Sequence, residues 1–214
     1  MIENQKTVYQ YPSARFVKSA VSLKDLPKER LPQIAFLGRS NVGKSSLLNA
    51  LTGKKNLVKV SATPGKTREI NFFEINNAFY IVDLPGVGYA KVSFSKQEQM
   101  ENSIRQYIEG AEDLKGVIYL VDIRHAGTPI DIETVEHIRN AGCPVLIVAS
   151  KRDKVNQSEF AKNRKLMQER FGLETLPLAV SSLKKTGLKE LWNEVLKAVS
   201  FVLLRRPTRS TLSF

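Results

Sequence analysis

Short apolar runs recur along the chain, and most of them are rich in β-branched and aromatic residues. Near-continuous apolar runs of this length are typical of strands in a sheet that is covered on both faces. The pattern therefore predicts six strands, at QIAFLG (33–38), INFFEI (70–75), AFYIVD (78–83), GVIYLVD (116–122), CPVLIVAS (143–150) and LPLAV (176–180).

Stretches with helical periodicity separate most of these runs, and such alternation is typical of parallel strands joined by right-handed crossovers. Asn76-Asn77 instead predicts a tight hairpin, which makes the second strand antiparallel and places it at an edge. We therefore expect an α/β fold with three layers: a doubly wound, six-stranded, mostly parallel sheet with one antiparallel edge strand. Helices are predicted at 44–52, 96–109, 130–140, 158–171 and 187–204.

The domain organisation follows from the extent of this pattern. No Pro/Gly/Ser-rich stretch or charge block divides the 214 residues, so we expect one domain at 31–204. Residues 1–30 are expected to form an N-terminal extension and residues 205–214 a basic C-terminal tail.

Charge and cysteine content narrow the class of protein. The net charge of +12 and the pI near 9.8 favour a polyanionic partner, and RNA rather than a membrane or DNA. The amino terminus has no apolar signal-peptide core, and no apolar run is long enough to span a bilayer. The single cysteine, Cys143, cannot form an internal disulfide, which fits a reducing cytosol. We therefore expect a cytoplasmic protein, and a monomer.

Directly after the first predicted strand stands GRSNVGKSS (38–46), which matches the pattern G-x4-G-K-[ST]. Backbone N–H groups of such a glycine-rich turn point at phosphates, and the following helix adds its positive end. Lys44 is expected to reach the β- and γ-phosphates, and the Ser45 hydroxyl to bind Mg²⁺. A nucleotide site is predicted here.

Two further segments fit the γ-phosphate side of such a site. At the end of the third strand, in DLPG (83–86), Asp83 can hold Mg²⁺ through water and the Gly86 amide can sense the γ-phosphate. The polar loop between the P-loop and this motif must supply a hydroxyl to the Mg²⁺. Ser61, Thr63 and Thr67 all qualify by chemistry, and Thr67 is preferred because it follows the Pro64-Gly65 turn.

The fifth strand ends in SKRD (150–153), which fits the [NTS]-K-x-D pattern of guanine readers. The Asp153 carboxylate can accept hydrogen bonds from N1–H and the N2 amino group of guanine, whereas adenine presents an acceptor there. The Lys151 stem is expected to lie along the base. The loop VSSLKKTG (180–187) follows the next strand, and its amides at Ser182 and Leu183 can bond the guanine O6. Guanine is therefore favoured over adenine, and a small-molecule kinase becomes the weaker alternative.

The strings GRSNVGKSSLLNAL, TPGKT, VDLPGVGYAKV, VDIRHAG and SSLKKTG resemble the EngB (YsxC/YihA) GTPases, of the TrmE–Era–EngA–EngB–septin class. The resemblance covers roughly residues 16–200. It implies a P-loop GTPase with a Ras-like G domain, bound GTP or GDP with Mg²⁺, and a role in assembly of the large ribosomal subunit and in cell division or septation. The large subunit or its precursor, and its rRNA, would be the partners.

The resemblance also implies roles for particular residues. Mg²⁺ would be held by Ser45, Thr67 and Asp83. Hydrolysis would depend on Asn41, Lys44, Thr67 and Gly86. The nucleotide would be contacted by Gly38, Arg39, Ser40, Asn41, Val42, Gly43, Lys44, Ser45, Ser46, Gly65, Lys66, Thr67, Arg68, Glu69, Asp83, Leu84, Pro85, Gly86, Ser150, Lys151, Arg152, Asp153, Val180, Ser181 and Ser182.

The sequence departs from the expected pattern at one position that concerns catalysis. Ras-type switches place a glutamine directly after D-x-x-G to orient the attacking water, and this chain has Val87. Tyr89 is a possible substitute, although a packing role is its simpler interpretation. Asn41 matches an asparagine that the wider class associates with K⁺. Weak intrinsic hydrolysis, stimulated by K⁺ or by a ribosomal partner, is therefore expected.

Another class of protein stays open, a constitutive RNA-binding module in which the nucleotide is regulatory only. Clusters of basic residues favour it, but no RRM, KH or other RNA-binding string is present. A GTP-dependent switch that docks on rRNA would combine both features. The basic clusters are Lys54-Lys55, Lys59, Lys66 with Arg68, Lys184-Lys185, and Arg205-Arg206 with Arg209.

Overall fold

The computed structural model describes residues 12–58, 69–88 and 94–203, apart from the side chains of Phe94, Lys96, Phe201, Val202 and Leu203. Its strands are β1 (Ala14–Ala20), β2 (Gln33–Gly38), β3 (Ile70–Ile75), β4 (Phe79–Asp83), β5 (Leu114–Asp122), β6 (Val145–Ser150) and β7 (Leu178–Ala179). Its α-helices are α1 (Lys44–Thr52), α2 (Phe94–Gly110), α3 (Pro129–Asn140), α4 (Gln157–Arg170) and α5 (Leu188–Leu203).

The described strands form one sheet in the order β1-β3-β4-β2-β5-β6-β7. The five strands from β4 to β7 are parallel neighbours, while β3 runs antiparallel to both β1 and β4. Asn76, Asn77 and Ala78 connect β3 to β4, and the Ala78 amide donates to the Ile75 carbonyl at 2.9 Å to close a tight turn. Asn76 and Asn77 have the positive φ that such a hairpin turn requires, 51° and 53°. The predicted fold class, a three-layer and mostly parallel α/β fold, is confirmed.

Strand β1 corrects the prediction of six strands, because the described chain has seven. It lies outside β3, so the antiparallel strand is second from the edge rather than at it. The residues expected as an N-terminal extension therefore include an edge strand of the sheet. Backbone pairing holds β1 to β3, together with an ion pair between Arg15 Nη2 and Glu74 Oε2 at 2.6 Å.

The helices cover the two faces of the sheet. Helices α1 and α5 pack on one face through Leu47, Leu51, Leu191 and Val195. Helices α2, α3 and α4 pack on the other through a second apolar cluster, which includes Ile104, Tyr107, Val135, Ile138 and Met167. All these side chains are buried, so the near-continuous apolar strands have the double cover that their sequences predict.

This topology brings the carboxyl ends of β2, β4, β5, β6 and β7 to the same edge of the sheet. Ligands bind at that edge in open α/β folds, because the connecting loops there are free to carry polar groups. None of the described helices is long and apolar enough to cross a membrane.

Candidate nucleotide-binding site

A cleft of about 380 Å³ opens at the carboxyl edge of the sheet. Three loops that are distant in sequence form its walls: the P-loop after β2, the loop after β6 and the loop after β7. Its lining combines small groups, two lysines, a carboxylate and an exposed apolar side chain. The lining residues are Val42, Gly43, Ser46, Ser150, Lys151, Asp153, Lys154, Ser182 and Leu183.

The P-loop turns sharply into α1, whose first N–H groups have no partner within the helix. Gly43 caps that helix with φ 102°, in the region that disfavours a side chain. Asn41 has φ 62°, which a short polar side chain tolerates. At Gly38, a Cβ atom would lie 2.6 Å from the carbonyl oxygen of Leu120, so the loop can approach β5 only with glycine there. The result is a turn of N–H groups at the positive end of a helix, which can bind an anion.

Lys44 and Asp83 form a buried ion pair beside this turn. The Lys44 ammonium donates a hydrogen bond to Asp83 Oδ1, and the two side chains are 9% and 0% exposed. The other carboxylate oxygen, Asp83 Oδ2, is buried and has no hydrogen-bond partner among the described residues. A buried acceptor without a donor is costly, and a hard cation or its bound water would satisfy it. These residues therefore fit Mg²⁺ as well as a nucleotide phosphate.

The DLPG segment is hydrogen-bonded to the start of the P-loop. The Val87 amide donates to the Gly38 carbonyl at 3.1 Å, and the Ser40 amide donates to the Val87 carbonyl at 3.2 Å. A Cβ atom on Gly86 would lie 3.1 Å from the Ser40 amide nitrogen, which explains why this position needs a small residue. The Val87 side chain is only 6% exposed and belongs to the core. A buried isopropyl group cannot orient a water molecule.

At the opposite end of the cleft, Ser150 joins three segments. Its hydroxyl lies 2.8 Å from the carbonyl oxygen of Val42 in the P-loop and 3.2 Å from that of Val121 in β5. Serine can do this at the end of a parallel strand because its hydroxyl is short and the strand leaves it buried, at 4% exposed. The base loop and the P-loop are thereby fixed relative to one another.

Lys151 is held across the cleft by two contacts to its ammonium. It donates to the Asn41 carbonyl at 2.7 Å and lies 3.0 Å from Asp122 Oδ2. The Lys151 backbone is left-handed, with φ 57°, and its Cε would lie 3.8 Å from a Cβ atom on Gly43. The stem of Lys151 therefore runs along the wall of the cleft, where it presents methylene groups to a flat ligand.

Asp122 anchors this arrangement and is itself clamped by Arg124. Arg124 donates to both carboxylate oxygens, at 3.0 Å from Nε and 2.7 Å from Nη2, and its backbone amide donates as well. Burial opposes ionisation of Asp122, but the hydrogen bonds from Arg124 and Lys151 outweigh it and lower the pKa of this carboxyl to about 2. Asp122 is therefore ionised at neutral pH, and its negative charge pairs with the Lys151 ammonium.

The loop after β7 holds Asp153. Ser181 donates from its hydroxyl to Asp153 Oδ1 at 2.5 Å, and the same hydroxyl accepts the Lys184 amide at 3.0 Å. The Arg152 amide donates to the Val180 carbonyl, which ties the two loops together. Gly187 closes the second loop with φ 73°, and a Cβ atom there would collide with the Ala179 carbonyl. Asp153 Oδ2 lies 3.9 Å from Lys154 Nζ, so this carboxylate keeps acceptor capacity toward a ligand.

The structure thus brings together the predicted residues of the P-loop, of DLPG and of the two base loops. Glu69 is described and lies exposed just before β3. The other predicted members of the polar loop, Ser61, Thr63, Gly65, Lys66, Thr67 and Arg68, lie outside the described residues, as do Lys59, Tyr89, Arg205, Arg206 and Arg209.

Sequence reasoning missed Asp122 and Arg124, and it missed the contact of Ser181 with Asp153. A signal for Asp122 was available, because it is a carboxylate at the carboxyl end of a parallel strand, the position that drew attention to Asp83. No local signal pairs Ser181 with Asp153, because 28 positions separate them. Cys143 is half-buried against the core, and burial raises the pKa of its thiol to about 11.

Comparison with known proteins places this geometry in a family. The model of the family described as "50S ribosome-binding GTPase" matches residues 33–151. The chain is 43% identical to the probable GTP-binding protein EngB of Clostridioides difficile (strain 630), over 86% of this chain and 91% of that one. It is 50% identical to the protein of the same name from Clostridium kluyveri, over 87% of this chain and 95% of the relative.

Solved structures agree with the sequence relatives. A crystal structure of a probable GTP-binding protein EngB superimposes with a TM-score of 0.68 at 27% identity, over 78% of this chain and 98% of the other. The structure of Era in complex with MgGDPNP and nucleotides 1506–1542 of 16S ribosomal RNA gives a TM-score of 0.64 at 26% identity, over 79% and 57% of the two chains. The chain therefore belongs to the EngB family of GTP-binding proteins, among the 50S ribosome-binding GTPases, and it is a GTPase.

Proposed function

We propose that this GTPase is a slow, Mg²⁺-dependent switch that acts in assembly of the large ribosomal subunit. The observation that carries the proposal is the single cleft in which the P-loop, Lys151 and Asp153 converge, in a chain of the 50S ribosome-binding family. The excess of 12 positive charges supports an RNA-rich partner.

Guanine selection is assigned to the base end of the cleft. The Asp153 carboxylate would accept hydrogen bonds from N1–H and the N2 amino group, while Lys151 and Leu183 would cover the ring from the two sides. Leu183 is 71% exposed, and a ligand in the cleft would shield part of this apolar surface. Adenine would leave Asp153 facing an unprotonated nitrogen, at a cost of about 1–3 kcal/mol.

The phosphates are assigned to the P-loop turn, with Lys44 moving from Asp83 to the β- and γ-phosphates. Ser45 and Asp83 would hold Mg²⁺, and the unpartnered Oδ2 of Asp83 supports this assignment. When bound, the ion supplies charge neutralisation to the phosphates. Thr67 as the third contributor remains a prediction from the sequence.

Slow hydrolysis is expected from the residue that directly follows Gly86. Val87 is buried and apolar, so it offers no group that could position a water molecule. Intrinsic turnover should be on the order of 10⁻⁴ to 10⁻³ per second, the range of unassisted switches. Asn41 is exposed, and its φ of 62° places it at the turn of the P-loop, which fits the proposal that it binds K⁺.

Competition between nucleotides tests the base assignment. Labelled GDP bound with Mg²⁺ should be displaced by unlabelled GDP or GTP at comparable concentrations, and ATP should fail even in large excess. Displacement by ATP at the concentration that suffices for GTP would contradict a guanine-specific site.

Sedimentation with large ribosomal subunits tests the partner. Binding should be tighter with a non-hydrolysable GTP analogue than with GDP, because ordered switch residues lose less entropy on docking. Affinity should also fall steeply with salt, by about 0.9 log units per phosphate contact for each tenfold increase. Reversing the charges of Arg205, Arg206 and Arg209 should weaken both states alike, whereas changing Lys66 and Arg68 should narrow the difference between them.

The same experiment separates the alternatives. Co-sedimentation that is indifferent to the nucleotide would favour the constitutive RNA-binding module, and no co-sedimentation at any salt would remove the ribosomal role. The resemblance to EngB also supports a role in cell division. Depletion of the protein should then lead to loss of mature large subunits and to filamentous cells. If division fails because translation is impaired, the loss of subunits should come first.

A further inference from the structure

A second cleft, of about 450 Å³, lies between α2 and α3 on the face away from α1 and α5. Its apolar floor is formed by Val87, Ile104, Ile108 and Ile130. Three of these side chains are buried, but Ile130 is 41% exposed. No residue of this groove belongs to the guanine end of the nucleotide site.

In the part of the rim that the structure describes, acidic side chains outnumber basic ones, although the sequence as a whole is basic. Among the lining residues that the structure describes, Glu101 on α2 and Glu133 and Glu136 on α3 stand beside one arginine, Arg105, and one histidine, His137. Glu133 and Glu136 are exposed, and neither forms an ion pair in the described part of the chain. Glu101 accepts a hydrogen bond from the Gln97 side-chain amide at 3.0 Å, and no ion pair of Glu101 is found among the described residues. In a chain with a net charge of +12, these described side chains give an excess of negative charge around an apolar floor.

We propose that this groove docks a basic, amphipathic protein segment, and not RNA. An apolar floor between acidic rims matches a helix with leucine-like side chains on one face and lysines or arginines beside them. Phosphates would meet three carboxylates here, and repulsion between like charges disfavours such a contact. The inference rests on the ribosomal role proposed above, since ribosomes present both RNA and basic proteins, and it assigns this face of the chain to the protein component.

The groove is connected to the nucleotide site through its floor. Val87 follows Gly86 directly and exchanges backbone hydrogen bonds with Gly38 and Ser40 of the P-loop. A Cβ atom on Gly88 would lie 3.5 Å from Ile130 Cδ1, so the DLPG segment also contacts the wall made by α3. A movement of Gly86 toward a γ-phosphate would change the floor of the groove. The docked segment should therefore bind the GTP form and the GDP form of the protein with different affinities.

The test compares intact large subunits with protein-free large-subunit rRNA. The double variant Glu101→Lys/Glu133→Lys adds four positive charges to the full-length protein. If the groove meets a basic protein segment, its affinity for intact subunits in the GTP-analogue state should fall about tenfold, since two attractive contacts become repulsive. Its affinity for protein-free rRNA should stay equal or rise, because general attraction to phosphate increases.

A matched control carries the same charge change on the opposite face. Glu190→Lys/Glu194→Lys places the new lysines on α5, where both glutamates are on the surface. This control should lose no affinity for subunits. If the groove variant binds subunits as tightly as the unmodified protein, or if the α5 variant loses as much affinity, the proposal is overturned while the ribosomal role stands. Thermal unfolding of both variants verifies that they are folded.

A peptide assay makes the groove testable even if the ribosomal role fails. The probe is a fluorescent 14-residue helix with leucines on one face and lysines on the other, and a scrambled peptide of the same composition is its control. The helix should bind the GTP-analogue form more tightly than the scrambled peptide. Glu101→Lys/Glu133→Lys and Ile130→Gln should each weaken it, by about tenfold and about threefold. Equal binding of both peptides would contradict the proposal.

Discussion

The two ends of the nucleotide cleft are held together in different ways. At the base end, Ser150, Lys151 and Ser181 make hydrogen bonds to backbone carbonyls and carboxylates, and these contacts leave the cleft open for a ligand. At the phosphate end, Lys44 pairs with Asp83, which is another group of the same proposed site. One end is organised before any ligand arrives, and the other has to exchange an internal partner for a phosphate.

This difference separates recognition from switching. A site that is already organised loses little free energy on reordering, so its selectivity is the same in every state of the protein. A site that exchanges partners responds to what is bound, and we expect the Lys44–Asp83 pair and the hydrogen bonds of Val87 with the P-loop to depend on which phosphates are present. We therefore expect variants at the base end to change which base is selected. Variants at the phosphate end should change how strongly the affinity depends on the number of phosphates.

The largest effect is expected for Lys44→Ala. Removal of the ammonium should weaken GTP binding by about a thousandfold, the scale of a truncated buried charge pair. GDP should lose less and GMP almost nothing, because the lysine is assigned to the β- and γ-phosphates. Calorimetric titration with the three nucleotides measures this gradient. A uniform loss across GMP, GDP and GTP would indicate that Lys44 supports the fold and not the phosphates.

Asp153→Asn should change the base while leaving the phosphate gradient intact. Guanine nucleotides should bind about a hundredfold more weakly, because the amide cannot accept both hydrogen bonds. Xanthine nucleotides should gain, since their C2 carbonyl accepts where guanine donates. Competition between XDP and GDP on both proteins measures the exchange, and a variant that loses both nucleotides equally would contradict the assignment.

Asp122→Asn should have a smaller effect on the same end. An asparagine carries no charge to pair with the Lys151 ammonium, so this lysine is held less firmly, and guanine nucleotides should bind about fivefold more weakly, about 1 kcal/mol. The loss should be the same for GMP, GDP and GTP, in contrast to Lys44→Ala. A loss that grows with the number of phosphates would show that Asp122 acts through the P-loop.

The pH dependence of stability offers a separate measurement on Asp122. Burial opposes its ionisation, but hydrogen bonds from Arg124 and Lys151 lower its pKa from 3.8 to about 2 in the folded protein. A lowered pKa stabilises the fold above about pH 4, and this contribution is lost as the pH falls toward 2. The difference in unfolding free energy between the unmodified protein and Asp122→Asn should therefore shrink between about pH 4 and pH 2. A difference that stays constant over this range would show that the ion pair is not the cause.

The smallest expected effect is that of the monovalent cation on turnover. Replacement of Na⁺ by K⁺ should accelerate GTP hydrolysis severalfold if Asn41 holds the ion, and Asn41→Ala should remove the acceleration at saturating GTP. Single-turnover phosphate release in the two salts measures it. Equal rates in both salts would leave the switch intact and remove K⁺ from it.

Most of the fold could be predicted because its determinants are local. The apolar runs of β2 and β3 coincide with the observed strands, and Asn76-Asn77 marks their hairpin correctly. Strand β1 was missed because ARFVKSA has neither a continuous apolar run nor a clear alternation, and Phe16 is 51% exposed. This segment becomes a strand because it pairs with the free edge of β3, and no local sequence pattern indicates that long-range pairing.

The site likewise has features that could be predicted from local motifs and features that depend on contacts between distant residues. Motifs with fixed spacing, such as GRSNVGKSS and SKRD, identified the loops that the structure brings to one cleft. The contacts that orient Lys151 and Asp153 come from Asp122 and Ser181, which lie on other strands and follow no common spacing. Such contacts depend on β5, β6 and β7 being neighbours in the sheet. They can be inferred from the sequence only once the order of the strands is known.

The edge position of β1 has a consequence for how the chain folds during synthesis. Arg15 pairs with Glu74, which follows 59 positions later. At about 5–20 residues per second, the first strand leaves the ribosome roughly 3–12 s before its partner is available. During that interval β1 cannot pair with β3 and can contact only the part of the chain already made or the surface from which it emerges. Its polar, lysine-containing sequence limits association during this interval, because an unpaired and more apolar strand would associate more readily with other nascent chains.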